Sequence, residues 1–107
     1  VISISNPIAK PRISVVTPYY NAGAYIEETI DSILAQEGEF ELAEILLVND
    51  RSDDPESMKA LDRVAEHDAV RILQNEGLRG PGATRNVGLR AAAGDWIAFL
   101  DADDVWL

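Results

Sequence analysis

Ile45-Leu46-Leu47-Val48-Asn49-Asp50 is a continuous apolar run that stops on two polar residues. An unbroken run, rather than an alternating one, reads as a strand covered on both faces, as in a parallel sheet. Working outward, Ile13-Ser14-Val15-Val16-Thr17 is a second β-branched run, stopped by Pro18. Between the two, Ile26, Ile30, Ile33 and Leu34 recur at helical spacing, with Glu27, Glu28 and Asp31 off the stripe. Asn21 stands in the region where that helix would be capped, and Glu37 to Glu44 reads as an acidic connector. Beyond Asp50, Pro55 suits the first turn of a helix capped by Asp53 or Asp54, with Met58, Leu61, Val64 and Ala65 as its buried face.

Val70-Arg71-Ile72-Leu73 is a third strand. Gly77 to Gly82 is a glycine-rich loop, and Thr84, Val87, Gly88, Ala91 and Ala92 offer a small-residue helix face. Asp95 to Leu100 is a fourth strand, ending in Asp101-Ala102-Asp103-Asp104. The order β-α-β-α-β-α-β predicts an α/β fold, a three-layer α/β/α sandwich on a mostly parallel sheet. Residues 1–12, with Pro7 and Pro11, read as an N-terminal arm, and residues 13–107 as the domain. A start at Val1 and an end on Trp106-Leu107 suggest the front half of something longer, with apolar surface near Trp106 through which copies could self-associate.

The 107 residues are 47% hydrophobic and 26% charged, a balance that suits a folded domain with a modest core. Nine basic against nineteen acidic side chains give a net charge of −10. Such a chain repels phosphate backbones, so nucleic acid is excluded as a partner, whereas cations suit its carboxylates. With no cysteine, thiolate metal sites and Cys nucleophiles are also excluded.

In open α/β sheets, ligands lie outside the carboxyl ends of the strands. Four polar clusters follow the four strands, and polar strand ends are common without a ligand. The charge distribution goes further. Arg71, Arg79, Arg85 and Arg90 against Glu76 alone make residues 69–94 locally basic, while the next ten residues carry four carboxylates. Gly80-Pro81-Gly82 leading into a helix suits a phosphate, with Arg85 adding a fork of donors. Asp101 and Asp103, two apart at a strand end, would point to one side and offer hard oxygens to Mn²⁺ or Mg²⁺. The plainer alternative is that Asp103 or Asp104 caps a following helix. Asp50 could accept from a ring N–H or shape a turn with Ser52, and Tyr20 could stack on a base or pack under the first helix. His67, Arg63 and Arg90 read as solvated helix residues.

Taken together, four motifs resemble the N-terminal half of a glycosyltransferase family 2 domain with the GT-A fold. They are Ser14-Val15-Val16-Thr17-Pro18-Tyr19-Tyr20-Asn21, Ile45 to Asp54, Asn75-x-Gly77 through Gly80 to Thr84-Arg85-Asn86-Val87-Gly88, and Phe99-Leu100-Asp101-Ala102-Asp103-Asp104. The resemblance implies that Pro18 and Tyr20 bracket a nucleotide base, that Asp50 hydrogen-bonds it, and that Arg85 lies near the nucleotide. It implies that Asp101 and Asp103 are the outer residues of a DxD motif, with Asp103 the first choice for direct metal ligand. It further implies metal-assisted, inverting transfer from a nucleoside-diphosphate sugar, with a UDP-sugar expected, to a glycan or lipid-linked acceptor in polysaccharide biosynthesis. The implied location is cytoplasmic, with contact to the cytoplasmic membrane face through segments outside this sequence. Arg51 stands where the family often has Gly, and Thr84 where it often has Ala. No residue is assigned as general base, which family members carry in their second half, so the isolated chain is expected to bind donor without transferring sugar. The rival readings are a sugar nucleotidyltransferase and a phospho-accepting receiver domain. The first expects a Gly-rich basic loop where Pro18-Tyr19-Tyr20-Asn21 stands. The second expects an acidic pair after the first strand and a late Lys, which Lys10 and Lys59 do not supply.

Overall fold

The computed structural model describes residues 10–107; most of the expected N-terminal arm, with Pro7, lies outside them. The elements run β1 (Arg12–Tyr19), α1 (Ile26–Leu34), β2 (Glu41–Asn49), α2 (Pro55–Val64), β3 (Val70–Gln74), α3 (Pro81–Ala91) and β4 (Trp96–Phe99). They form one sheet in the order β3-β2-β1-β4, with every strand pair parallel. Parallel crossovers are right-handed, so the side on which a helix lies follows the direction in which the chain moves across the sheet. The steps β1→β2→β3 move one way and the step to β4 moves the other. Accordingly α1 and α2 pack on one face with Val15, Ile45 and Leu47, and α3 packs on the other with Val16, Leu46 and Val48. The expected three layers are present.

β1 differs from expectation in running through Pro18. Its odd residues bond to β2, as where the Tyr19 carbonyl accepts from the Asp50 amide at 2.8 Å. Its even residues bond to β4, as where the Val16 carbonyl accepts from the Leu100 amide at 3.2 Å. Pro18 therefore turns its missing N–H toward β4, whose last paired residue, Phe99, stands opposite Val16. A proline is tolerated in a strand where no neighbour needs its donor.

β2 starts at Glu41, inside the stretch expected to be a connector, and Glu44 is buried within it. The Glu44 carboxylate accepts from Ser14 Oγ at 2.7 Å, the Ala93 amide at 2.6 Å and Arg71 at 2.8 Å. Burial pushes this carboxyl up, but the Ala93, Ser14 and Arg71 donors outweigh it and hold the group below the usual glutamate range. Ser14 in turn accepts from the Gly94 amide at 2.8 Å, so the turn entering β4 is fastened to the middle of the sheet.

In α2, Asp54 is the N-cap and accepts from the Ser57 amide at 3.1 Å. Its buried face is Ser57, Ala60, Leu61 and Val64, whereas Met58 and Ala65, expected inside, are exposed. Trp106 itself packs partly against the α1–α2 core, and its amide donates to Ser32 Oγ at 3.0 Å. Its neighbours Val105 and Leu107 are exposed and supply the apolar surface expected there; Trp96 and Phe99 of β4 are exposed as well.

Candidate functional site

In this strand order the chain reverses direction between β1 and β4, which places the switch-point crevice beyond their carboxyl ends. A cavity of about 530 Å³ lies there, walled by the ends of β1 and β2, the first turn of α3 and the turn after β4. Pro18, Tyr20, Asp50, Arg85, Asp101 and Asp103 all line it, so the end of β1, the segments that follow β1, β2 and β4, and the start of α3 deliver every expected site residue to one space. Tyr25, which the sequence did not single out, lines it too.

The β1 end divides its two tyrosines between roles. Tyr19 is wholly buried and donates its hydroxyl to the Ser57 carbonyl at 2.7 Å; burial pushes its phenol up, so it remains a donor. Tyr20 is 51% exposed, which removes the reading that it packs under α1. Asn21, at φ 47°, does not cap that helix, whose N-cap is Tyr25 with no side-chain bond. Its amide group instead accepts from the Asp53 and Asp54 amides at 3.0 and 3.1 Å and donates to Asp53 at 2.7 Å. This pins the loop after β1 to the loop after β2.

Asp50 is buried at the cavity wall. The turn it was offered belongs to its neighbour, since the Ser52 amide donates to Asn49 Oδ1 at 3.0 Å. Asp50 accepts from Asn75 Nδ2 on Oδ1 and from the Gly80 amide on Oδ2, each at 3.0 Å. Of the tripeptide offered to a phosphate, Gly80 is thus engaged and Pro81 has no N–H, which leaves the Gly82 amide. Arg51 adopts φ 59°, a left-handed conformation that costs a residue with a Cβ on the order of 1 kcal/mol. Its guanidinium donates to the Gly77 carbonyl, a second tie between the β2 end and the loop before α3.

Asp101, Asp103 and Asp104 present carboxylate oxygens within 4.8 Å of one another, all on exposed residues. The convergence has a different cause from the one expected. β4 ends at Phe99, and residues 101–104 form a turn closed by the Asp104 amide on the Asp101 carbonyl at 3.0 Å. Thr29 of α1 clasps this turn, its hydroxyl 2.9 Å from the Ala102 carbonyl and 2.7 Å from that of Asp104. Thr29 went unnoticed in the sequence, although a polar residue three after Ile26 on an apolar stripe was a signal. Arg85 Nη2 lies 3.1 Å from Asp101 Oδ1. Both partners are substantially exposed, so the pair is worth at most about 1 kcal/mol and an anion can draw Arg85 away.

The sheet, its two helical layers and the acidic and basic groups across one crevice define an open α/β protein with a cavity at its switch point. The particular family follows from comparison. Residues 14–107 match the profile of Glycosyl transferase family 2, and the chain belongs to that family. It is similar to an uncharacterized glycosyltransferase of Haemophilus influenzae, 38% identical over 95 residues, 88% of this chain and 37% of that protein. It is also similar to the Escherichia coli UDP-Glc:alpha-D-GlcNAc-diphosphoundecaprenol beta-1,3-glucosyltransferase, 36% identical over 89% of this chain and 36% of that protein. A mannosyltransferase of Pyrobaculum calidifontis, solved with GDP-Man and Mn²⁺, superposes with a TM-score of 0.77 at 31% identity over 91% of this chain and 29% of that one. The chain therefore spans a little over a third of the length of these curated relatives. The sheet matches the N-terminal half of the GT-A fold that the motifs implied.

Proposed function

We propose that this chain is the donor-binding half of a glycosyltransferase that takes a nucleoside-diphosphate sugar, a UDP-sugar first, and passes its sugar to an acceptor hydroxyl with inversion. The observation that carries the reading is the arrangement of the crevice. A carboxylate, Asp50, stands on one wall beside an exposed tyrosine, and two carboxylates, Asp101 and Asp103, stand with an arginine on another. In this reading Tyr20, with Pro18, holds the base by its face, and Asp50 accepts an N–H from the base edge. Arg85 exchanges Asp101 for the diphosphate, and the Gly82 amide at the head of α3 favours the same charge.

The hard oxygens of Asp101 and Asp103, with Asp104 alongside, fit a divalent cation such as Mn²⁺ or Mg²⁺. Such an ion supplies charge neutralisation for the departing diphosphate. Support comes from the relatives, one named for UDP-Glc and one solved with GDP-Man and Mn²⁺. The base that takes the acceptor proton is assigned to no residue of this chain, and the lipid-linked or glycan acceptor is held elsewhere. A cytoplasmic location is part of the proposal, and a lipid-linked acceptor would suit association with the cytoplasmic face of a membrane.

Calorimetric titration with UDP and GDP, with and without Mn²⁺, tests the proposal on the wild type and Asp103→Ala. Metal-dependent binding that weakens at least about tenfold in the variant is expected, the range for losing a charged contact. A folded protein that ignores both nucleotides in Mn²⁺ and in Mg²⁺ sinks the proposal.

A further inference from the structure

We infer that Asn75 is a positioning residue for nucleotide recognition, acting through Asp50; the nucleotide part of the inference rests on the donor-site reading above. Asn75 is 2% exposed and does not line the cavity, yet it is the junction on which the cavity's parts meet. Its Nδ2 lies 3.0 Å from Asp50 Oδ1, 2.7 Å from the Leu78 carbonyl and 3.3 Å from Thr84 Oγ1. Its Oδ1 accepts from the Gly77 amide at 3.1 Å. Its own amide donates to the Asn49 carbonyl at 2.9 Å, so its backbone is anchored at the end of β2.

The donor inventory fits this arrangement. Nδ2 carries two hydrogens for three acceptors. Thr84 sends its one hydroxyl hydrogen to the Gly80 carbonyl at 2.7 Å, leaving Oγ1 only the weakest and longest of the three contacts. The two short bonds therefore go to Leu78 and Asp50. With Oδ1 held by Asn75 and Oδ2 by the Gly80 amide, the Asp50 carboxylate cannot rotate about its last bond without breaking both. Each oxygen keeps a further lone pair, and these are what Asp50 can offer a base. The same two bonds set Gly80, one residue before α3 begins, and so fix where the helix carries Arg85. Asn75 thereby joins the end that reads a base to the end that holds a phosphate.

Two readouts test this, one of them independent of any nucleotide. In Asn75→Ala, amide hydrogen exchange at Gly80 is expected to speed up by about tenfold or more, the local opening that follows loss of its partner's support, while exchange at Val15 and Leu46 holds. Unchanged Gly80 exchange overturns the inference whatever the ligand does. The second readout is a double-mutant cycle of UDP affinity over Asn75→Ala and Asp50→Asn. About tenfold weakening by Asn75→Ala in the wild type and under twofold in the Asp50→Asn background is expected, the coupling of residues that act as one. Full, additive weakening in both backgrounds means that Asn75 does not work through Asp50. Asn75→Asp keeps side-chain volume and the acceptor for Gly77 but not the donor; wild-type affinity in that variant also counts against the inference. A wild type that binds no nucleotide defeats the donor-site reading, and the exchange result still decides whether Asn75 positions Asp50.

Discussion

Gly88 faces the sheet from the middle of α3, and replacing it by alanine gives a sharp test of how closely that layer packs. A Cβ there would lie 2.5 Å from Val16 Cγ1, 3.1 Å from Val16 Cγ2 and 3.2 Å from Val48 Cγ2. Ordinary contact begins near 3.4 Å, so helix and sheet must part by most of an ångström or the valine must leave its rotamer. Overpacking of this kind costs about 1–3 kcal/mol. The helix gains about 1 kcal/mol from alanine over glycine, which leaves a net loss of roughly 0–2 kcal/mol, and the 2.5 Å approach to a stiff valine puts it toward the upper end. For a domain near 100 residues each kcal/mol moves Tm by about 4–8 °C. Gly82, in the first turn of the same helix, is the control, because a Cβ there meets nothing within 4 Å. Thermal unfolding followed by circular dichroism should place Gly88→Ala below wild type by several degrees and Gly82→Ala at or above it. Because Arg85 rides on α3, nucleotide affinity should fall with Gly88→Ala as well. Equal melting of the two variants would refute the close approach of α3 to β1.

Two further substitutions probe the elements that hold the crevice. Glu44→Gln should destabilise by about 1–3 kcal/mol at neutral pH through loss of charge-assisted bonds. Because the folded carboxyl titrates below its unfolded value, that stability is present above the unfolded value and is lost as pH falls through the folded one. The gap between variant and wild type should therefore close in acid, and a gap that persists below both values would show that shape rather than charge is at stake. Thr29→Val removes the hydroxyl that clasps the 101–104 turn and should cost about 1–3 kcal/mol, with Mn²⁺-dependent nucleotide binding weakened more than metal-free binding; equal weakening of both would separate the clasp from the carboxylates.

Much of this was legible because the signals were local. The unbroken run at Ile45–Val48 and the helical stripe at Ile26–Ile33 are written in periodicity, and Asp54 before Pro55 announces a helix start. What failed depended on neighbours. Whether Pro18 ends a strand is settled by how far β4 extends beside it. Whether Tyr19 or Tyr20 goes inside follows from strand parity, which a strand ended at Thr17 cannot supply. Glu44 looked like a connector residue because its partners, Ser14, Arg71 and Ala93, come from three distant segments. At the site, residue identity was readable while engagement was not. The carboxylate bonds of Asp50 run to residues 25 and 30 positions away, and the gathering of Asp101 with Asp103 comes from a turn rather than from strand alternation.

The order β3-β2-β1-β4 also dictates when the crevice comes into being. β1 precedes the other three strands of this sheet in the chain, yet it sits inside the sheet and pairs on one side with β4, Ile13 meeting Trp96. Closing that long loop is slow relative to the neighbouring β1–β2 contact, since ordering entropy precedes any reward from pairing. During vectorial synthesis the three strands β1, β2 and β3 can assemble while one flank of β1 still waits, its hydrogen-bonding groups open to any passing strand. Among these four strands, the crevice is thus completed only when β4 joins, and the flank of β1 is most exposed to mispairing until Phe99 clears the ribosome.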